Sequence, residues 1–253
     1  MKVVILAGGY GTRLSEFTEL IPKPMVTVAG KPIIVHIMEI YAKHGHTDFY
    51  LALGYKSQLI KEYFLNYPIL NSDFTINLKD SSIRHHSSLG IDWKVTLIDT
   101  GLDTMTGGRI KKLKDHLGDE PFLLTYGDGL SDVNVNNVID FHEDNSALIT
   151  MTAVRPNARF GDLTFDGDRL AMFQEKPQMH DGWINGGFFV VQPEFLDLID
   201  DDSQMLEREP LNKALELKKL YAFKHFGFWQ CMDSKRDRDL LEKLAASDVA
   251  PWR

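Results

Sequence analysis

Short apolar runs alternate with segments of helical spacing along most of the chain. Residues 3–6 are continuously apolar and lead into a glycine-rich turn, the pattern of a strand covered on both faces. From Pro32, the positions Ile33, Ile34, Ile37, Met38 and Tyr41 recur on one helix face, and Gly45 marks the stop. A second apolar run covers 49–53, and the helical pattern 57–67 turns Leu59, Ile60, Tyr63 and Phe64 inward. Further strands follow at 95–99, 122–126, 147–154 and 188–191, and a helix at 234–246. This β-α-β-α rhythm predicts an α/β fold, a Rossmann-like, mainly parallel mixed sheet flanked by helices. Ligands in such sheets bind beyond the carboxyl ends of the strands, where the Gly8 turn, Asp99-Thr100 and Gly127-Asp128 all fall.

The stretch 71–94 breaks the rhythm. It is polar, contains Arg84-His85-His86, and reads as an inserted arm away from the catalytic face. Two neighbouring histidines without nearby cysteine or clustered acids point to a surface or an interface rather than a metal site. Neither a repeat nor a low-complexity linker divides the sequence, so 1–253 reads as a single domain carrying that arm. With 43% hydrophobic residues it can bury a full core. A net charge of -8 argues against general binding to nucleic acid or anionic membrane, so local clusters of cations carry meaning. The single cysteine, Cys231, excludes an intramolecular disulfide and a cysteine-based zinc cluster and suits a reducing compartment. The run 3–7 is shorter than a signal-peptide core, and no stretch approaches about 18 uninterrupted apolar residues. A cytoplasmic protein is expected.

The chemistry begins at Leu6-Ala7-Gly8-Gly9-Tyr10-Gly11-Thr12-Arg13-Leu14, followed by Pro22-Lys23-Pro24. Backbone N–H groups can approach a phosphate chain only where side chains do not intrude, which is the reading given to Gly8, Gly9 and Gly11. Arg13 then offers a forked donor, and Lys23 a compact ammonium on a backbone stiffened by two prolines. A dinucleotide fingerprint counted from Gly9 would need glycine at Leu14, and a P-loop would end in Gly-Lys-Ser/Thr; neither fits. Asp128 follows a strand between Gly127 and Gly129, a placement suited either to a hard divalent cation or to a turn. Spacing alone allows Asp233 to be the N-cap of the last helix. Trp183 and Trp229 read as packing surfaces rather than stacking platforms.

The Gly-Gly-x-Gly-Thr-Arg-Leu and Pro-Lys-Pro-Met segments resemble the signature of the sugar-1-phosphate nucleotidylyltransferases. Further blocks in register strengthen this: Asp99-Thr100-Gly101, 105–109, 125–129, 173–177, 184–189, 227–230 and Met232-Asp233. They run nearly the whole chain and most resemble the branch that activates glucose 1-phosphate with CTP. The resemblance implies a fold of the nucleotide-diphospho-sugar transferase type, CTP and glucose 1-phosphate as substrates, Mg²⁺ as cofactor, and a homo-oligomer, hexameric in the best-known member. It implies Arg13, Lys23 and Asp128 as catalytic residues, with Asp128 and Asp233 holding the metal. The nucleotide would be bound by Leu6, Ala7, Gly8, Gly9, Tyr10, Gly11, Thr12, Arg13, Lys23, Thr104, Arg109 and Gly127. Glu175, Lys176, Asn185 and Gly186 would bind the sugar phosphate. The residues alone do not derive cytosine, so dTTP or UTP, another sugar phosphate, or a non-catalytic sugar-nucleotide sensor stay open.

Overall fold

The computed structural model describes residues 1–86, 90–156, 162–166, 168–174, 182–247 and 250–253. Within them an eight-stranded sheet runs, in spatial order, Lys94–Asp99, Asp48–Leu53, Lys2–Ala7, Phe122–Tyr126, Phe189–Val191 and Ile149–Val154, the last also pairing with Ile184–Asn185 and Leu220–Lys224. The first four strands are mutually parallel, and Phe189–Val191 enters antiparallel to both neighbours. The sheet is therefore mixed and mainly parallel, as the rhythm of the sequence predicts.

The continuous apolar runs have a direct cause. Val3, Ile5 and Ala7 join Phe49, Leu51 and Leu53 in one core cluster, beneath the helix Ile33–Lys43, while Val4 and Leu6 join Tyr50, Ala52, Phe122 and Leu124 in a second. Alternate residues of each strand face opposite layers, so neither face can be polar. Leu59 departs from expectation: it is one-third exposed, and only Ile60 of the Ser57–Leu65 helix is fully buried. That helix lies on the margin of the sheet, so its buried stripe is narrow.

The strand expected at 188–191 begins one residue later, at Phe189. Ile184–Asn185 and Phe189–Val191 flank Gly186-Gly187-Phe188, with φ of 77° at Gly187 and 50° at Phe188. A positive φ at phenylalanine is strained, and it is held by burial of the ring, which stacks on Tyr41 at 5.7 Å.

The arm folds as a hairpin, Phe74–Asn77 against Ser82–His85, exposed at every position. Its histidines are engaged by local hydroxyls, His85 with Ser72 at 3.0 Å and His86 with Thr75 at 2.7 Å. No helix among the described residues is long and apolar enough to cross a membrane.

Candidate active site

Beyond the carboxyl ends of Lys2–Ala7, Lys94–Asp99 and Phe122–Tyr126 lies a cleft of about 430 Å³. It is lined by Leu6, Ala7, Gly8, Gly9, Tyr10 and Gly11, by Arg13, Lys23 and Pro24, by 102–106 and Arg109, and by Tyr126, Gly127 and Asp128. Three separated stretches of sequence thus meet at one edge of the sheet. Thr12, in the 3₁₀ turn Thr12–Leu14, is exposed and stands outside this lining.

The glycines divide into different jobs. A Cβ on Gly8 would lie 2.3 Å from a guanidinium nitrogen of Arg109, and one on Gly11 would meet Thr18 at 2.9 Å; at Gly9 nothing stands within 4 Å. Gly9 alone of the three opens onto free space. The room at Gly8 is taken by Arg109, which is 4% exposed and donates to the carbonyls of Leu53, Gly101, Gly8 and Leu102 and to the Thr100 hydroxyl. Burial lowers its pKa, an effect partly offset by Asp99. The guanidinium therefore ties the first loop to the third, its donors directed at protein carbonyls.

Below the loop the charges converge. Lys23 Nζ donates to Asp128 Oδ2 and to Asp233 Oδ1, both at 2.6 Å, and Arg13 Nη1 donates to Asp233 Oδ2 at 2.6 Å. Burial opposes the Lys23 charge, but the two carboxylates outweigh it and raise its pKa. Burial likewise works against the Asp233 anion, and Lys23 and then Arg13 overcome it, holding its carboxyl below the usual range. Asp233 reaches this position because it is not the N-cap. Ser234 caps Lys235–Ala245 in a reciprocal capping box with Asp237, which leaves the Asp233 carboxylate to pair with Lys23 and Arg13; Asp233 itself stands behind these cations, outside the lining of the cleft. Trp229 packs against the core and donates its indole N–H to Gly186 O at 2.8 Å, whereas Trp183 is half-buried with the Arg155 guanidinium 4.4 Å from its ring centroid.

Thr104 lines the cleft, but its hydroxyl donates to Thr100 O at 2.6 Å. The helix Thr106–Lys111 presents its first turn to another segment: Met105 N donates to Asp202 O, and Gly107 N and Gly108 N donate to Gln204 O. Cβ atoms on Gly107 and Gly108 would strike that backbone at 2.8 and 2.5 Å. These glycines make room for protein, and the amides are already satisfied. Asn185 and Gly186 lie beside the cleft rather than in its lining; Asn185 Nδ2 donates to Tyr126 OH at 3.1 Å. Glu175 and Lys176 lie outside the described residues.

Sequence reasoning missed Glu207. Its carboxylate accepts from Tyr126 OH at 2.6 Å and from Thr106 Oγ1 at 2.7 Å. It also missed Asp103, which accepts from Tyr10 OH at 3.1 Å. Neither acid belongs to a recognisable motif, and their partners are distant in sequence.

Comparison with known proteins places the chain in a family. Over its full length the chain is 48% identical to the glucose-1-phosphate cytidylyltransferases of Salmonella typhi and Salmonella typhimurium, spanning 99% of each. The structure of HddC from Yersinia pseudotuberculosis, complexed with GMP-PN, superposes with a TM-score of 0.68 at 24% identity, over 96% of this chain and 98% of that one, a likeness of fold. The model of the nucleotidyl transferase family matches residues 2–230. With its glycine turn, strand order and converging charges accounted for, the chain belongs to the nucleotidyl transferase family.

Proposed function

We propose that this protein transfers a cytidylyl group from CTP to α-D-glucose 1-phosphate, forming CDP-glucose and releasing pyrophosphate. The observation that carries the reaction type is the convergence of Lys23 and Arg13 with Asp128 and Asp233 beside the open Gly9 backbone. The choice of cytosine and glucose rests on the likeness to the Salmonella enzymes.

An oxygen of the sugar phosphate attacks the α-phosphorus in line; that P–O bond forms as the bond to pyrophosphate breaks. The nucleophile is already an anion at neutral pH, so no proton has to move and the barrier is charge repulsion. Lys23 and Arg13 would neutralise the triphosphate, and Lys176 the incoming phosphate. Glu175 would accept from sugar hydroxyls, with Asn185 and Gly186 completing that wall. Asp128 and Asp233 present carboxylate oxygens to one point, 2.6 Å on either side of Lys23 Nζ, a donor set that fits a hard divalent cation such as Mg²⁺. Bound there, Mg²⁺ supplies neutralisation of the phosphates and of the leaving group.

The test is pyrophosphate release from purified protein with glucose 1-phosphate and Mg²⁺, offering CTP, dTTP, UTP, ATP and GTP separately. Preference for CTP is expected. Preference for another nucleotide overturns the base assignment, and no release with any overturns the reaction. For assembly we propose a homo-oligomer in the cytoplasm. The arm supports self-association, because Phe74, Ile76, Leu78 and Ile83 are all exposed. Sedimentation of the wild type against Leu78→Asp checks it, a smaller species being expected.

A further inference from the structure

Glu207 stands where two walls of the cleft meet. One wall is the Thr104–Arg109 region, the other Tyr126 with Asn185 behind it, and both Thr106 and Tyr126 line the cleft. Glu207 accepts from each wall through a different oxygen, Tyr126 OH on Oε1 and Thr106 Oγ1 on Oε2. The donors beyond are aligned: Gly187 N donates to Asn185 Oδ1 at 2.9 Å, Asn185 Nδ2 to Tyr126 OH at 3.1 Å, and Leu206 N to Thr106 Oγ1 at 2.9 Å. Every bond points toward the carboxylate, and hydrogen bonds arranged in such a chain polarise and strengthen one another.

The supporting segment is fixed as well. The Asp202 carbonyl accepts from Met105 N, just ahead of Thr106–Lys111, and the Gln204 carbonyl from Gly107 N and Gly108 N, at a distance only the glycines at 107 and 108 permit, and Lys112 Nζ pairs with Asp202 at 2.6 Å. Glu207 is thus held by one wall through the 202–206 backbone and grips the other through Tyr126. The Tyr126 ring packs edge-on against Phe189, so its hydroxyl has little freedom to look elsewhere.

We propose that Glu207 is a positioning residue that joins the nucleotide wall to the sugar-phosphate wall, fixing the two reactants relative to each other. The assignment of the walls rests on the proposed function. In-line transfer depends steeply on the approach of the attacking oxygen, so loosening one wall against the other lowers turnover while leaving each binding surface intact.

A double-mutant cycle on the full chain tests it, with Glu207→Ala, Tyr126→Phe and the pair, assayed by pyrophosphate release. Glu207→Ala is expected to lower kcat at least tenfold, with each KM within threefold of wild type. Glu207→Gln, which keeps an acceptor for Tyr126, should recover most of the loss, and the pair should be no slower than Glu207→Ala. Tyr126→Phe carries the same kcat expectation and serves if Glu207→Ala does not fold. Wild-type kcat in either folded variant, or losses that multiply in the pair, overturns the proposal. Amide exchange without any substrate separates this from a failure of the proposed reaction. Exchange at Gly187, separated from the carboxylate by the Asn185 and Tyr126 donors, should quicken in Glu207→Ala or, if that variant does not fold, in Tyr126→Phe; unchanged exchange overturns the relay whatever the enzyme turns over.

Discussion

Replacing Lys23 by methionine keeps the length and apolar stem of the side chain and removes one charge from between two carboxylates. Lys23 makes two charge-assisted bonds at 2.6 Å, with side-chain exposures of 12% for Lys23, 27% for Asp128 and 14% for Asp233. Such bonds contribute about 1.5–3 kcal/mol each, and their loss leaves like charges facing one another. Partial exposure and the remaining Arg13 contact moderate this, so a net loss of about 3 kcal/mol is expected, or a fall in melting midpoint of roughly 6–12 °C for a domain of this size. The effect on a divalent cation has the opposite sign. The ammonium competes with it for the same oxygens, and removing a unit charge about 4 Å from a doubly charged ion changes its energy by up to roughly 8 kcal/mol at an intermediate dielectric. Discounted for solvent, about 1.4 kcal/mol remains, a tenfold gain in affinity. Calorimetric titration with Mn²⁺ in the absence of nucleotide checks this, beside a thermal melt. Turnover should nevertheless drop by about 10²–10³, since charge stabilisation of the reacting phosphates is lost. A folded Lys23→Met protein with unchanged midpoint and unchanged Mn²⁺ affinity would refute the bridging reading, and near-normal turnover would refute Lys23 as a catalytic cation.

Further outcomes can be measured on single variants. Gly8→Ala forces a methyl onto the buried Arg109 guanidinium, 2.3 Å away, and should cost about 3 kcal/mol or more by thermal melt, whereas Gly9→Ala, with nothing within 4 Å, should stay within about 0.5 kcal/mol and instead weaken nucleotide binding. Ser234→Ala removes the hydroxyl that accepts from Asp237 N in the capping box beside Asp233 and leaves the Ser234 N–H bond to Asp237, and a loss of about 1 kcal/mol is expected in chemical denaturation. His36 is fully buried, donates to Val28 O at 2.9 Å and accepts from the Trp252 indole at 3.3 Å. Burial lowers its pKa, only partly offset by the Val28 bond, so below the unfolded value of about 6.5 the unfolded chain takes up the proton first. Stability is therefore present above that pH and lost as pH falls beneath it; a midpoint that stays level from pH 7 to 5 would contradict this.

Much of the architecture can be read from residues 3–6, 49–53 and 122–126, because strands covered on both faces are apolar at nearly every position, the buried Thr125 being the exception. The glycine turn and Asp128 are equally visible, each lying next to a strand end, and Lys23 stands out between two prolines. Other features depend on contacts that sequence spacing does not encode. Nothing local says that the Arg109 guanidinium turns inward, since its carbonyl partners come from loops around Gly8, Leu53 and Gly101. Gly107 and Gly108 look like room for a ligand, but the room is filled by residues 202–204. Glu207 finds its partners at Tyr126 and Thr106, 81 and 101 residues earlier. Asp233 is left to pair with Lys23 and Arg13 because its neighbour Ser234 takes the capping role.

The seating of residues 202–206 on Gly107 and Gly108 also limits how the 101–109 segment can be re-engineered. A cassette of 101–109 taken from a relative would arrive with side chains and turns shaped for its own 202–206 segment. Any Cβ at position 108 lands 2.5 Å from the Asp202 backbone, and any change at 109 empties the space kept at Gly8 and Gly54. Productive recombinants should therefore exchange these four stretches as a set, and libraries varying 101–109 alone should be dominated by unfolded clones.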